Sequence, residues 1–262
     1  MPSIIVNGLN TFYESRGKGK SLVLVHGAGG SSTYWSNQLS ELSKEARVIA
    51  LDLPGHGKSD PLKERPTVEL YAEHTVAFIN GVKLGKVILL GHSMGGWIVQ
   101  LIALEHPKIL EKLVIVDSSA SFPPRTGNTD SFRRAASLDA NALAASLFSQ
   151  KTLMKTDAAS LLKQIRGDMD PVSALNVLLR DFDLGGTNDF SARLKEISVP
   201  TLIVHGADDM IPVSLADYLH KNIKGSKLEI ILDAGHMVMM EKPEEFNNAV
   251  MKFIKGPVNL PK

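Results

Sequence analysis

Residues 86–96 read KVILLGHSMGG, a short apolar run that ends at a serine framed by glycines and leads into a second apolar stretch reaching Glu105. Four large aliphatic residues in succession, 87–90, suit a strand buried on both faces, the situation of a central strand in a parallel sheet. The stretch 95–105 has the length of a helix. The chain must therefore turn from strand to helix across Gly91-His92-Ser93-Met94-Gly95. Glycines at 91 and 95 remove the Cβ atoms that would collide with backbone in so sharp a reversal.

The same rhythm recurs along the chain. Residues 21–27 (SLVLVHG), 47–53 (RVIALDL) and 112–117 (KLVIVD) read as further buried strands. The segments 33–44, 68–82 and 95–105 between them are long enough for crossover helices. Residues 3–6 and 11–14, joined through Asn7-Gly8, read as an antiparallel pair at the sheet edge. The rhythm stops after Ser118. Residues 121–194 hold Pro123-Pro124 and helical stretches at 130–150, at 158–166 and from Pro171, but no buried strand. Strands return at 201–206 (TLIVHG) and 227–232 (KLEIIL). The expected architecture is α/β: a mostly parallel core from residues 1–120 and 195–262, with 121–194 inserted as a helical subdomain.

Composition narrows the partners. The formal net charge of +1 offers no electrostatic footprint for nucleic acid or an anionic membrane. The most apolar long segment, 87–104, is broken by Gly91, His92, Ser93, Gly95 and Gly96, so no membrane span is expected. With no cysteine, disulfides, thiolate metal sites and a cysteine nucleophile all drop out. The N-terminal residues lack the pattern of a signal peptide, which makes the cytoplasm the expected compartment.

The serine at the turn is the candidate nucleophile. G-x-S-x-G directly after a buried strand and before a helix exposes the hydroxyl and aims a helix N-terminus at its oxygen. A serine hydroxyl needs a base. Eight histidines are available. His74, His106 and His220 fall in helical stretches and are expected at the surface or an interface; His205 lies inside a strand and is expected to pack in the core; His56 sits in the Gly55–Gly57 turn. His236 differs, because it follows strand 227–232 through Asp233-Ala234-Gly235 and so reaches the carboxyl edge of the sheet, where open α/β sheets carry their chemistry. The acid should come from another strand end, and Gly206-Ala207-Asp208-Asp209 follows strand 201–206. Either aspartate could instead cap the helix near Pro212. Two backbone N–H groups are needed to hold an oxyanion. Met94, after the serine, and Ala28, in the loop His26-Gly27-Ala28-Gly29-Gly30, are the candidates. His26, Gly27, His92 and Met237 flank these positions and are the candidates for substrate contact.

Taken together these residues resemble the α/β-hydrolase superfamily over nearly the whole chain. The elbow at Ser93, the oxyanion loop at His26-Gly27, the D-x-P-G-x-G-x-S loop at 52–59 and Asp233-Ala234-Gly235-His236 followed by Glu241-Lys242-Pro243-Glu244 occur in the family's order. The resemblance implies an α/β-hydrolase fold with a Ser-Asp-His triad, a helical cap at 121–194 and no cofactor. One departure concerns the acid, where relatives read G-x-x-D-x-x-x-P and Gly206 to Pro212 is one residue short. Counting from the glycine selects Asp209; counting back from the proline selects Asp208. Asp209 is favoured, because a strand end is rigid and the loop into the helix absorbs a deletion better. Met237, Met239 and Met240 could line an acyl site, although Met239 and Met240 are better explained as packing. Trp35 and Trp97 are expected in the core.

The leading expectation is hydrolysis of a carboxylic ester with a small or medium apolar acyl group. Cleavage of carbon–carbon bonds in aromatic ring-cleavage products is a second. Such enzymes often carry Asn before the serine and Trp after the histidine, where this chain has His92 and Met237. Cofactor-free haloperoxidase or perhydrolase chemistry needs similar residues. A ligand-binding, receptor-like protein on the same fold is the non-enzymatic alternative.

Overall fold

The computed structural model describes residues 2–121, 140–167, 169, 171–181, 184 and 189–257. Its apolar runs form one eight-stranded sheet: β1 (Ser3–Val6), β2 (Leu9–Arg16), β3 (Ser21–Val25), β4 (Arg47–Leu51), β5 (Val87–His92), β6 (Leu110–Val116), β7 (Thr201–Gly206) and β8 (Lys227–Ile231). The spatial order is β1-β2-β4-β3-β5-β6-β7-β8. Only β1 and β2 pair antiparallel with their neighbours; β4, β3, β5, β6, β7 and β8 run parallel. The strands expected to be buried on both faces are so. Every residue of β3, β5 and β7 is buried, whereas the edge strand β8 alternates. The order reverses at β3, so the carboxyl ends of β3 and β5 lie side by side and open the crevice in which such sheets hold their sites.

Helices cover both faces, and their ends follow local chemistry. In α2 (Val68–Gly81) the Thr67 side chain accepts the Leu70 N–H and Glu69 sits in the first turn. Helix α3 (Met94–Glu105) starts at the residue after Ser93. The expected helix at 33–44 is instead broken into a 3₁₀ turn at Ser32–Trp35, α1 (Ser36–Glu41) and a second 3₁₀ turn at Leu42–Lys44. The serines explain the break, since a hydroxyl competes for backbone groups, as Ser43 does by donating to the Ser40 carbonyl.

Within 121–194 the described residues form α4 (Ala140–Leu147), α5 (Gln150–Leu153), α6 (Ala158–Arg166) and α7 (Pro171–Asp181). A single isolated bridge, Ser121 to Asp189, is the extent of β pairing among the described residues there. The first part of the expected stretch 130–150, and Pro123-Pro124, lie outside the described residues. Ala144, Leu147, Phe148, Leu161 and Ile165 join the apolar cluster that contains Leu24, Leu90 and Met237, so these helices pack on the sheet edge rather than standing away from it.

Helix α8 (Val213–Asn222) links β7 to β8, and α9 (Val238–Glu241) and α10 (Pro243–Lys255) follow β8. Helix α10 opens on proline with Glu244 and Glu245 in its first turn and ends with Lys252 and Lys255. Its C-terminal carbonyls meet an unusual partner. Lys112 in β6 is 1% exposed, and its ammonium donates to the carbonyls of Phe253, Ile254 and Gly256 at 2.7, 3.0 and 2.7 Å. Three carbonyls without intrahelical partners are thus satisfied by one buried cation. Lys112→Met keeps the stem and removes the donors, at a cost of about 2 kcal/mol. Differential scanning calorimetry should show Tm lower by about 4–8 °C, with the kcat of any activity retained. An unchanged Tm would remove this capping role.

Candidate active site

Ser93 occupies a conformation that few non-glycine residues adopt, φ +53°, ψ −117°. Its N–H continues the sheet by donating to the Val116 carbonyl at 2.9 Å, and its own carbonyl receives the Ser118 hydroxyl at 2.9 Å. The glycines around it have the steric role expected of them. A Cβ on Gly91 would strike the Gly95 carbonyl, one on Gly95 the Val25 carbonyl, and one on Gly96 the Ser118 side chain. The strained turn is therefore held by close backbone packing on three sides.

His236 and Asp209 meet Ser93 in line. The His236 Nε2 lies 2.9 Å from the Ser93 hydroxyl, and its Nδ1 lies 2.9 Å from Asp209 Oδ1. The same carboxylate oxygen accepts the Ile211 N–H at 2.9 Å. Burial drives the Asp209 carboxyl up, but the neighbouring His236, His205 and the Ile211 N–H together outweigh it and hold it below the usual carboxylate range. Asp208, the alternative, is exposed, and its N–H bonds the Ala234 carbonyl. The histidine loop is pinned by Glu241, whose Oε1 accepts the Gly235 N–H at 2.7 Å. The other oxygen of Glu241 accepts from the Ser149 N–H and from the hydroxyls of Ser149 and Thr152, at 2.9, 2.7 and 2.6 Å. One carboxylate thus ties the loop before His236 to the start of α5.

The loop 26–30 lies against the serine. A Cβ on Gly27 would come within 3.0 Å of the Ser93 Cβ. Ala28 follows, with its carbonyl held by the Tyr34 hydroxyl at 3.2 Å. Met94, 1% exposed, is the first residue of α3. His26 is fully buried; its Nδ1 donates to the Gly27 carbonyl at 2.8 Å and its Nε2 accepts the Leu53 N–H at 3.1 Å. Both ring nitrogens are thereby occupied by backbone, and burial, with His56 nearby, pushes the ring pKa down to about 3. His92 donates through Nε2 to the His236 carbonyl at 2.7 Å and turns Nδ1 toward Gly27. Burial, then His236, lowers its pKa to about 3. Met237 is buried among the sheet-edge cluster. Met239, Trp35 and Trp97 are in the core as expected.

Sequence reasoning did not find the partner of this loop. Asp181, at the end of α7, is fully buried and accepts the Gly29 N–H at 2.8 Å. The same oxygen faces His56 Nε2 at 2.6 Å; its other oxygen accepts from Arg180 at 2.9 Å and from the Tyr71 hydroxyl at 3.4 Å. Burial works to raise the Asp181 carboxyl, but His56 and Arg180 prevail and hold it low. The available signal was His56 in a loop that the sequence marks as structured. Asp181, inside a helical stretch and outside every motif, had none. His74, expected at the surface or an interface, is buried with its Nε2 2.9 Å from the Thr11 hydroxyl. The α2 face that carries it packs under β2, and burial lowers its pKa to about 4. His205 is in the core, as expected.

The sequence matches the alpha/beta hydrolase family over residues 22–249. The chain belongs to this family. It is 27% identical over 245 residues to a putative carbamate hydrolase of Rhizobium rhizogenes, covering 90% of this chain and 93% of that one. It is 28% identical over 261 residues to the 2-hydroxymuconate semialdehyde hydrolase of Pseudomonas sp. CF600, covering 96% and 92%. A solved structure of a thermophilic esterase from Thermogutta terrifontis superposes with a TM-score of 0.79 at 25% identity, covering 97% of each chain. Family and relatives support hydrolase activity. No helix among the described residues is long and apolar enough to cross a membrane.

Proposed function

We propose that this hydrolase cleaves carboxylic esters of small or medium apolar acyl groups through a serine acyl-enzyme. The observation that carries the reading is the hydrogen-bonded line from Ser93 through His236 to Asp209, with 2.9 Å at each step. Ser93 attacks the ester carbonyl as His236 Nε2 takes its proton; Asp209 keeps the other ring nitrogen protonated and supports the imidazolium that forms. The N–H groups of Met94 and Ala28 receive the oxyanion. His236 returns the proton to the leaving alcohol, and a water activated by the same imidazole releases the acid. His26 shapes the oxyanion loop and His92 supports the His236 loop, while Gly27 and Met237 border the acyl site.

In this reading residues 121–194 form a cap roofing the serine. Its two ties, Asp181 to Gly29 and Ser149 to Glu241, connect it to the oxyanion loop and the histidine loop. Asp181→Ala leaves the Gly29 N–H and the His56 ring without their anion. The loss of a buried charge-assisted bond is worth about 1.5–3 kcal/mol, so kcat/KM for a short ester should fall about 10–100-fold. A variant with wild-type kcat/KM would detach the cap from the oxyanion loop in function.

A second reading is favoured by the 28% identical relative named as a 2-hydroxymuconate semialdehyde hydrolase. In that case the scissile bond is carbon–carbon. A p-nitrophenyl ester chain-length series run beside an aromatic ring-cleavage product separates them. The ester reading expects kcat/KM to peak at short or medium acyl chains and to exceed that for the ring-cleavage product. The reverse order assigns the second function.

A further inference from the structure

Behind the Asp209 carboxylate lies a second buried carboxyl. Asp117 follows the end of β6 with a left-handed φ of +44° and is fully buried. Its Oδ1 accepts the Gly206 N–H at 2.8 Å, and its Oδ2 receives a long contact from the Val238 N–H at 3.3 Å. Asp117 thereby touches the strand end that launches Asp209 and the helix that begins two residues after His236. One side-chain nitrogen or oxygen from each of Asp117, His205 and Asp209 lies within 4.8 Å of the other two. Two of those groups present orphaned buried atoms, Asp209 Oδ2 and His205 Nδ1. His205 Nε2 is 2.8 Å from the Ile211 carbonyl, which can only accept, so the ring proton is on Nε2 and Nδ1 is a lone pair. Nδ1 is 3.7 Å from Asp117 Oδ1. The His205 Nε2 lies 3.5 Å from Asp209 Oδ2, but its proton is given to the Ile211 carbonyl, so the cluster has more acceptors than donors.

Two carboxylates cannot both ionise at this distance in a dry interior. Asp209 has His236 and the Ile211 N–H to support its charge. Asp117 faces Asp209, the neutral His205 and, at 4.0 Å, the Nε2 of His92, whose proton is committed to the His236 carbonyl. We propose that Asp117 is a neutral carboxylic acid that donates its proton to Asp209 Oδ2, and that it is a positioning residue for Asp209. This inference rests on the reading of Asp209 as the acid behind His236. Burial, followed by the charge of Asp209, raises the Asp117 carboxyl well above the usual range, more than its two N–H contacts lower it. The missing donor is then supplied, and Asp209 is gripped from both sides: Oδ1 by His236 and Ile211, Oδ2 by Asp117.

The sign of the pH dependence follows. A carboxyl whose folded pKa is raised contributes stability that is fully present below its unfolded value and is lost as pH rises toward the folded one. Asp117→Asn offers a permanent donor to Asp209 Oδ2 and an acceptor for Gly206, giving up only the long Val238 contact. The Tm of Asp117→Asn minus that of the wild type should therefore grow by several degrees, roughly 3–8 °C, between pH 5 and pH 8. An Asp117 already ionised in the folded protein would bind no proton in either state over this range, so the difference would stay flat from pH 5 to pH 8, and that result would overturn the proposal. In infrared difference spectra at pH 7 the wild type should show a protonated-carboxyl band that Asp117→Asn lacks; a wild type without the band overturns the proposal even if the variant fails to fold. For the positioning role, kcat for a p-nitrophenyl ester should stay within about threefold in Asp117→Asn and drop about 10–100-fold in Asp117→Ala at nearly constant KM. Equal losses in both variants would sink that role. The Tm and infrared readouts do not depend on the reaction, so a wrong assignment of the triad shows in activity alone. A stoichiometric metal ion found in the purified protein, and lost in Asp117→Asn, would also overturn a proton at this place.

Discussion

Ser93→Ala should lower kcat for p-nitrophenyl ester hydrolysis about 10⁶-fold without unfolding the protein. The size follows from what the variant removes. Ser93 is the only atom group on the line to His236 that can form a bond to carbon, and without it the imidazole can only activate water at a distance. The fold should survive because Ser93 is fixed by its backbone: its N–H and carbonyl bond Val116 and Ser118, and its neighbours are packed through glycine. Alanine inherits the same positive φ, so no new strain enters. Steady-state rates measured with freshly purified protein, together with mass-spectrometric mapping of an organophosphonate label, make the check. The label should reside on Ser93 in the wild type and be absent from the variant. Turnover within tenfold of wild type, with contamination excluded, would end the serine mechanism.

Asp209→Asn should cost up to about 10⁴-fold in kcat, whereas Asp208→Asn should stay within about twofold of wild type. The first figure reflects a change of tautomer. Asn at 209 can turn its amide N–H₂ toward His236 Nδ1, which then accepts, so the ring proton moves to Nε2 and points at Ser93. An imidazole in that state cannot take the serine proton. Asp208 has no comparable leverage, since its side chain is exposed and it is Asp209 whose carboxylate bonds the histidine, while the Asp208 N–H bonds the Ala234 carbonyl. The two variants compared by kcat and by Tm are decisive. If Asp208→Asn is the crippled one, the acid belongs there; if both are near wild type, the acid comes from another strand end.

The loop that carries these two aspartates shows how far residue counting reaches. Gly206 to Pro212 is one residue shorter than in the related pattern, and two aspartates fit the two ways of counting. The residue reached by counting from the strand, Asp209, is the one whose carboxylate lies 2.9 Å from His236 Nδ1. Gly206 is locked in β7 by pairing with Ile231 and by the Asp117 side-chain oxygen, and a Cβ there would strike the backbone of Ala234 and Gly235. The deletion is absorbed downstream, where Asp209 turns back to bond Ile211 and Pro212 begins α8 without any side-chain cap. A rigid origin and a yielding end follow from sheet hydrogen bonding on one side and its absence on the other.

Local pattern determined most of the fold and nominated the residues proposed to react. Runs rich in Val, Ile and Leu are buried between two helical layers, so five of the eight strands, β3 to β7, were legible on that ground to within a few residues, while the β1–β2 pair and the edge strand β8 were read from turn and rhythm. Gly91 and Gly95 around Ser93, and Asp233-Ala234-Gly235 before His236, are short-range chemistry: each turn is written in the residues that make it. Tertiary structure decided the rest. Asp117 reads as the last residue of an apolar strand, Asp181 as the end of an amphipathic helix, and Glu241 as a helix-start acid. Their partners are Asp209 and Gly206, Gly29 and His56, Gly235 and Ser149, separated from them by up to 152 positions. A buried carboxyl has no sequence signature of its own, because its cost depends on which donors the fold brings within 3 Å. Only the packing of helix against loop and strand end against strand end supplies those donors.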